Sequence, residues 1–275
     1  MIQKIYVPQN AKLRQIVNFM SYVAFTSEDH LEGWPAIFPN ATSNLMLSLD
    51  DDIDVNLTPT DSAIYITCSS TVAFRPYVGL RFMTVQFNSY GMYYAKGIPV
   101  SELHDTLFSL DSFFKASEVD EISSRLREPT SIEEKFETLE TFLLQRIKIP
   151  DIDPRLPYAI AALKLQQHYR IDDLSEALCL SSRGLLKLFK KHVGISPAYY
   201  KKIARFNQAA SLVLNRPEIP LTQIAFECGY YDQAHFIKDF REFGGISPSD
   251  FLQLRAKSSD FYNYILKDID SLAPS

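Results

Sequence analysis

The feature that most constrains this chain is an internal repeat. Phe189-Lys190-Lys191-His192-Val193-Gly194-Ile195-Ser196-Pro197 returns 51 residues later as Phe240-Arg241-Glu242-Phe243-Gly244-Gly245-Ile246-Ser247-Pro248, keeping the phenylalanine, a basic second position and the Gly-Ile-Ser-Pro tail. Self-similarity at a fixed spacing points to one supersecondary unit used twice. Upstream of the first copy, Asp172-Asp173-Leu174-Ser175-Glu176-Ala177-Leu178 opens with acidic capping residues, breaks at Cys179-Leu180-Ser181-Ser182 and resumes as a helical pattern from Arg183 to Lys191. The second copy runs from Leu221 to Cys228, breaks at Gly229-Tyr230-Tyr231-Asp232 and resumes from Gln233 to Arg241. Two helices joined by a three- or four-residue turn define a helix-turn-helix.

Each second helix separates its chemistry onto two faces. Leu185 with Phe189, and Phe236 with Phe240, stand at i and i+4 and predict a buried side. Opposite them lie Ser182, Arg183, Lys187 and Lys190 in the first copy and Gln233, His235 and Lys238 in the second. Arg and Lys read guanine or grip phosphate, Gln pairs with adenine, and a helix N-terminus offers free amides to a phosphate. Between the copies, Pro197 to Leu214 reads as one helix of 18 residues, or about 27 Å at 1.5 Å per residue. Such a stiff spacer is expected to place the two helices in consecutive major-groove segments of double-stranded DNA, about 34 Å or ten base pairs apart.

Charge is divided along the chain. The net −5 conceals 12 Lys and Arg against 21 Asp and Glu in residues 1–154, 15 against 9 in residues 155–257, and 1 against 3 beyond. A basic module joined to an acidic one is the expected footprint when only one part of a chain meets phosphates. With 46% apolar and 13% aromatic residues, both parts have enough apolar side chain to fold. Three prolines in the eight positions from Pro150 to Pro157 mark a linker at about 150–156, because proline removes a donor and forces its predecessor out of the helical region.

Before the linker, residues 1–149 read as an α+β domain, mostly antiparallel β with helices. Asn44 to Leu49, Ala63 to Thr67 and Leu80 to Phe87 are short, apolar or alternating runs that predict strands. Ile132 to Ile147 predicts an amphipathic helix through Phe136, Leu139, Leu143 and Ile147, and Ser101 and Ser117 are candidate N-caps. Residues 157–256 are expected to be all helical, two helix-turn-helix units bridged by a long helix. In residues 257–275, Ser259-Asp260 can cap a helical tail through Phe261, Tyr264, Ile265, Leu266 and Ile269 whose apolar face needs a partner.

Residues from about 158 to 255 resemble the DNA-binding domain of the AraC/XylS family of bacterial transcription regulators. The resemblance is carried by Leu174 to Leu180, Leu185 to Phe189, Gly194 to Pro197, Arg205, Ala209-Ala210 and Leu214. It is carried above all by Ile224 to Phe236, with Phe240 and Gly245 to Phe251. It implies that Ser182, Arg183 and Lys187 fall where the family's first recognition helix meets DNA, and Gln233, His235 and Lys238 where the second does. Leu186 and Ile237 depart from the polar residues common at outward positions, and Gly184 and Cys179 are unusual in their copy; Leu186 and Ile237 suit thymine methyls or packing against protein equally. Phe38-Pro39-Asn40, Val78 to Phe82 and Ile98 to Leu103 resemble an uncharacterised domain that precedes such DNA-binding domains in bacterial regulators.

The expected function is therefore sequence-specific transcription regulation switched by an unidentified small molecule at the N-terminal domain. RNA polymerase and a second copy of the chain are candidate partners. No catalytic residue, metal or cofactor is expected. Residues 1–149 contain only His30 and His104 as histidines, and lack a Gly-rich phosphate loop, nucleophile elbow or Cys-His pattern. The aromatic cluster Phe74, Tyr77, Phe82, Phe87, Tyr90, Tyr93 and Tyr94 suits a core or a pocket. Two alternatives remain open at this point: a DNA-docking repair or modification enzyme, which would need Cys68, and a regulator switched by a protein. Cys68, Cys179 and Cys228 lack metal-ligand spacing, and the start of the chain lacks a secretory pattern; a cytoplasmic protein without membrane contact is expected.

Overall fold

A computed structural model describes residues 1–27, 36–50, 52–56, 58–66, 72–103, 106–165 and 169–255. His30, Cys68, His104 and the tail 257–275 singled out above lie outside the described residues. The first half holds strands β1 (Ile2–Tyr6), β2 (Val17–Ala24), β3 (Ala36–Ile37), β4 (Ser43–Ser48), β5 (Ile53–Val55), β6 (Thr58–Thr60), β7 (Ser62–Ile66), β8 (Val72–Arg75) and β9 (Arg81–Phe87). Helix α1 (Gly91–Lys96), a short 3₁₀ turn Val100–Glu102 and strand β10 (Leu107–Ser109) follow, then helices α2 (Ala116–Arg127) and α3 (Ile132–Arg146).

Among the described residues the strands form two antiparallel sheets, one ordered β1-β2-β9-β4-β7-β10 and one ordered β3-β8-β5-β6. The period of two along a strand explains why the larger sheet is covered on both faces. Leu45 and Leu47 of β4, with Met83, Val85 and Phe87 of β9, enter one core, whereas Met46 and Phe82 enter a second with Ile53, Val55 and Phe74 of the smaller sheet. Every residue of β4 is buried, which is why its centre, Leu45-Met46-Leu47, is apolar on both faces rather than alternating. Serine and amide side chains at the centre are paired within the sheet: Ser21 and Thr84 share a hydrogen bond of 2.7 Å, and Asn18 Nδ2 donates to Gln86 Oε1 at 3.0 Å.

Two helical starts differ from expectation for a local reason. Helix α2 begins at Ala116, so Ser117 lies inside it; the backbone N–H of Lys115 donates to Glu118 Oε2 at 3.1 Å, closing the first turn one position earlier. Ser101 lies within the 3₁₀ turn rather than capping an α-helix. For α3, Ser131 accepts from Glu134 N and Glu134 reaches back to Ser131 N, a reciprocal cap that the sequence carries as Ser-x-x-Glu.

After the prolines come α4 (Arg155–Leu165), α5 (Ile171–Ala177), α6 (Ser182–His192), α7 (Pro197–Asn215), α8 (Leu221–Glu227), α9 (Gln233–Gly244) and α10 (Pro248–Arg255). Helix α4 starts inside the stretch expected as linker, because Pro157 sits in its first turn, where a missing N–H costs nothing. The two halves share one apolar core. Phe38, before β4, packs edge-on against Phe206 of α7 and Phe251 of α10 at centroid distances of 6.0 and 5.4 Å. Asn207 Nδ2 donates to Pro39 O at 2.9 Å, and Ser89 and Tyr200 hydroxyls meet at 3.2 Å. At the C-terminal end of α6, His192 lies 4.2 Å from the Tyr93 ring and Gly194 rests against Val100. No described helix is long and apolar enough to cross a membrane.

Candidate nucleic-acid interface

Each helix-turn-helix is closed by the same three devices. The turn after the first helix is pinned by Leu180 N donating to Ser175 O at 2.9 Å in one copy and Tyr230 N to Ala225 O at 3.0 Å in the other. A residue with positive φ reverses the chain beside it, Cys179 at 52° and Gly229 at 74°. An N-cap then opens the second helix: Ser181 Oγ accepts from Gly184 N at 3.1 Å, and Asp232 Oδ1 accepts from His235 N at 2.7 Å. The hydrogen-bonded turn residues stand 50 apart, but the N-caps stand 51 apart, so the second turn contains one additional residue, Tyr231. Its side chain is 88% exposed.

Helix α6 buries Leu185 and Phe189 and exposes Ser182, Arg183, Lys187 and Lys190 along one side, as the spacing requires. Leu186 is 42% exposed between these cations. Ser182 is partly engaged, its hydroxyl donating to Asp172 Oδ1 at 3.2 Å. Helix α9 buries Phe236, Phe240 and Phe243 and exposes Gln233 and Lys238. Ile237 is half-buried, which favours a packing role over a fully outward one.

His235 is held differently from the other six candidates. Its Nε2 lies 2.9 Å from Arg205 Nη2, and its ring lies edge-on to Tyr230 at 5.2 Å. A guanidinium only donates, so Nε2 is the acceptor in this contact. The same Nη2 donates to Asp239 Oδ2 at 2.8 Å, while Lys202 Nζ stands 3.5 Å from Asp239 Oδ1 and 2.6 Å from Glu242 Oε2. Asp239 is completely buried, and Arg205 also lies over the Tyr230 ring at 4.4 Å. This network ties the spacer α7 to α9. Its members Lys202, Asp239 and Glu242 were not legible as a site, because the pairing joins two helices whose separation in sequence carries no periodic signal.

The spacer runs one residue past the Leu214 expected from its sequence pattern, 19 residues or about 28 Å, with Asn215 ending the helix before Pro217. Ser196 caps its start by accepting from Tyr199 N at 3.2 Å, with Pro197 in the first turn. Of the two described cysteines, Cys179 is exposed and Cys228 buried, the latter thiol pushed up to about 12 by burial. Among the described residues no group of three His, Cys, Asp or Glu side chains is placed to hold a metal ion.

Residues 174–254 match the family described as helix-turn-helix domain. Residues 174–254 are an AraC-type helix-turn-helix domain. An uncharacterized HTH-type transcriptional regulator of Haemophilus influenzae is 32% identical over 101 residues, covering 36% of this chain and 34% of that protein. The arabinose operon regulatory protein of Salmonella typhimurium is 30% identical over 122 residues, 41% of this chain and 43% of that one. Among solved structures, ToxT from Vibrio cholerae aligns over 92% of this chain and 98% of its own, with 12% identity and a TM-score of 0.48. The chain thus matches less than half the length of these curated relatives.

Proposed function

We propose that this chain is a sequence-specific DNA-binding transcription regulator in which α6 and α9 of the AraC-type domain enter consecutive major-groove segments of one duplex. The observation that carries the reading is the exposed row Arg183, Lys187 and Lys190 on one recognition helix, matched by Gln233 and Lys238 on the other, with a 19-residue helix between them. Because one chain supplies both helices, a second copy is not needed to read two groove segments. His235 contributes by orienting α9 through Arg205, and reaches a base only by leaving that partner. The N-terminal domain, sharing a core with α7, is positioned to convert binding of a small-molecule effector into a change of DNA affinity or of contact with RNA polymerase.

The test is selection of binding sites from random duplexes, followed by titration of the selected site at several salt concentrations. Lys187→Ala with Lys238→Ala is expected to flatten the dependence of log K on log salt by about 0.9 per lost phosphate contact. Unchanged affinity and slope in the double variant would place the interface elsewhere.

A further inference from the structure

The exposed row of α6 is not purely polar. Arg183, Leu186, Lys187 and Lys190 stand at i, i+3, i+4 and i+7, so they share one side of the helix, and along its axis Leu186 lies one turn from Arg183 and one turn from Lys190. Leu185, Leu188 and Phe189 join the core that the two halves share, whereas Leu186 is left outside it and is 42% exposed. An exposed leucine alone needs no explanation. The internal repeat supplies a second observation: an offset of 51 residues places Leu186 on Ile237, Lys187 on Lys238 and Lys190 on Arg241. Both recognition helices therefore carry a branched aliphatic residue at the same register, followed by a basic residue one and four positions later. In α9 that residue is half-buried; in α6 it protrudes.

The chemistry of the major groove selects what such a side chain can meet. Base edges there present donors and acceptors, and the one apolar feature among the four standard base pairs is the C5 methyl of thymine. A leucine pressed onto a donor or acceptor strips it of water and gives nothing back, which costs affinity. Pressed onto a methyl group, it buries apolar surface on both sides of the contact. Its neighbours on the same side are long cations that reach phosphates, so docking them brings the shorter, apolar side chain down toward the base edges.

We propose that Leu186 is a specificity-determining residue that reads the C5 methyl of a thymine in the groove segment entered by α6. The inference rests on the regulator reading, which puts that helix in the groove. Because the methyl group itself is recognised, 5-methylcytosine satisfies Leu186 and unmethylated cytosine does not. Burying one methyl group against the leucine corresponds to about a fourfold gain in affinity. Leu186 carries no charge, so it adds nothing to the salt dependence that Lys187 and Lys190 set.

The experiment replaces each thymine of the selected duplex, one at a time, by deoxyuridine, which differs only in lacking the methyl group, and titrates the full chain with each duplex. One thymine in the segment covered by α6 is expected to give about a fourfold loss. At that same position, 5-methylcytosine should bind about fourfold tighter than cytosine. The Leu186→Gln chain, altered at an exposed position and shown by circular dichroism to be folded, should bind the thymine and deoxyuridine duplexes equally. Its dependence of log K on log salt should stay that of the parent, in contrast to Lys187→Ala. Deoxyuridine substitutions in the segment covered by α9 should affect Leu186→Gln and the parent alike. A duplex with no methyl-sensitive position under α6, or a Leu186→Gln chain that keeps the sensitivity, overturns the assignment. A chain that selects no duplex at all sinks the regulator reading, whereas tight binding to a selected duplex that is indifferent to deoxyuridine sinks the role of Leu186 alone.

Discussion

Replacing Arg205 by methionine removes the side-chain donor that stands within 3 Å of the Asp239 carboxylate among the described residues, a group with no exposed surface. Breaking a buried pair from one side strands the remaining charge and costs about 3–5 kcal/mol. Here Lys202 remains 3.5 Å from the carboxylate and the Arg205 side chain is 16% exposed, so the lower end, about 3 kcal/mol, is expected. At about 2 °C per kcal/mol for a chain of this size, the melting temperature should fall by roughly 6 °C. The double variant Arg205→Met with Asp239→Leu removes both charges and should recover at least half of that loss, whereas Asp239→Asn alone should not. DNA affinity of the single variant should also fall, because His235 loses the donor that fixes its ring. Differential scanning fluorimetry and titration with the selected duplex read the two effects. A drop below 2 °C for Arg205→Met, or a double variant no more stable than the worse single one, would show that the network does not hold α7 against α9.

Three further outcomes follow from local geometry. Cys179 sits at φ 52° where the second unit uses glycine, so Cys179→Gly should be neutral to stabilising by about 1 kcal/mol in thermal melts, whereas Gly229→Val should destabilise by at least that amount. Gly194, at φ 89°, would bring a Cβ to 3.1 Å from the Val100 backbone, so Gly194→Ala should loosen the seat of α6 on the N-terminal half, seen as faster amide exchange at Val193 and Ile195. Burial between Tyr93 and Tyr94 lowers the pKa of His192, aided by Lys191 and opposed by the hydrogen bond to Leu188 O and by Asp153. The unfolded chain therefore takes up the proton first as pH falls. This residue's contribution is level above the ordinary histidine value near 6.5 and is lost as pH drops below it toward the depressed folded value. His192→Asn should lessen the loss of melting temperature between pH 7.5 and 5.5 that the parent chain shows; an identical loss in both would refute the assignment.

By itself the sequence determined the elements whose cause is local. The repeat, the three- and four-residue spacing of Leu185, Phe189, Phe236 and Phe240, and the capping residues before each helix fix the helix-turn-helix units, because backbone hydrogen bonding and side-chain periodicity act over one or two turns. The exposure of Arg183, Lys187, Lys190, Gln233 and Lys238 followed from the same periodicity. Strands β4, β7 and β9 were legible from β-branched and aromatic runs, whereas β2, buried almost throughout despite Asn18 and Ser21, was not, since its polar side chains are satisfied only by partners on β9.

What the tertiary structure alone decided is everything that depends on distant segments meeting. Arg205, His235 and Asp239 become one network only when α7 crosses α9. A cavity of about 1060 Å³ between the larger sheet and helices α4 and α7 is lined from stretches far apart in the chain. The sequence marks Cys179 as unusual in its copy, but its left-handed backbone is seen only in the structure. Periodicity dictates which side of a helix is apolar, but nothing in it specifies which other element covers that side, and that choice is where the coupling between the two halves resides.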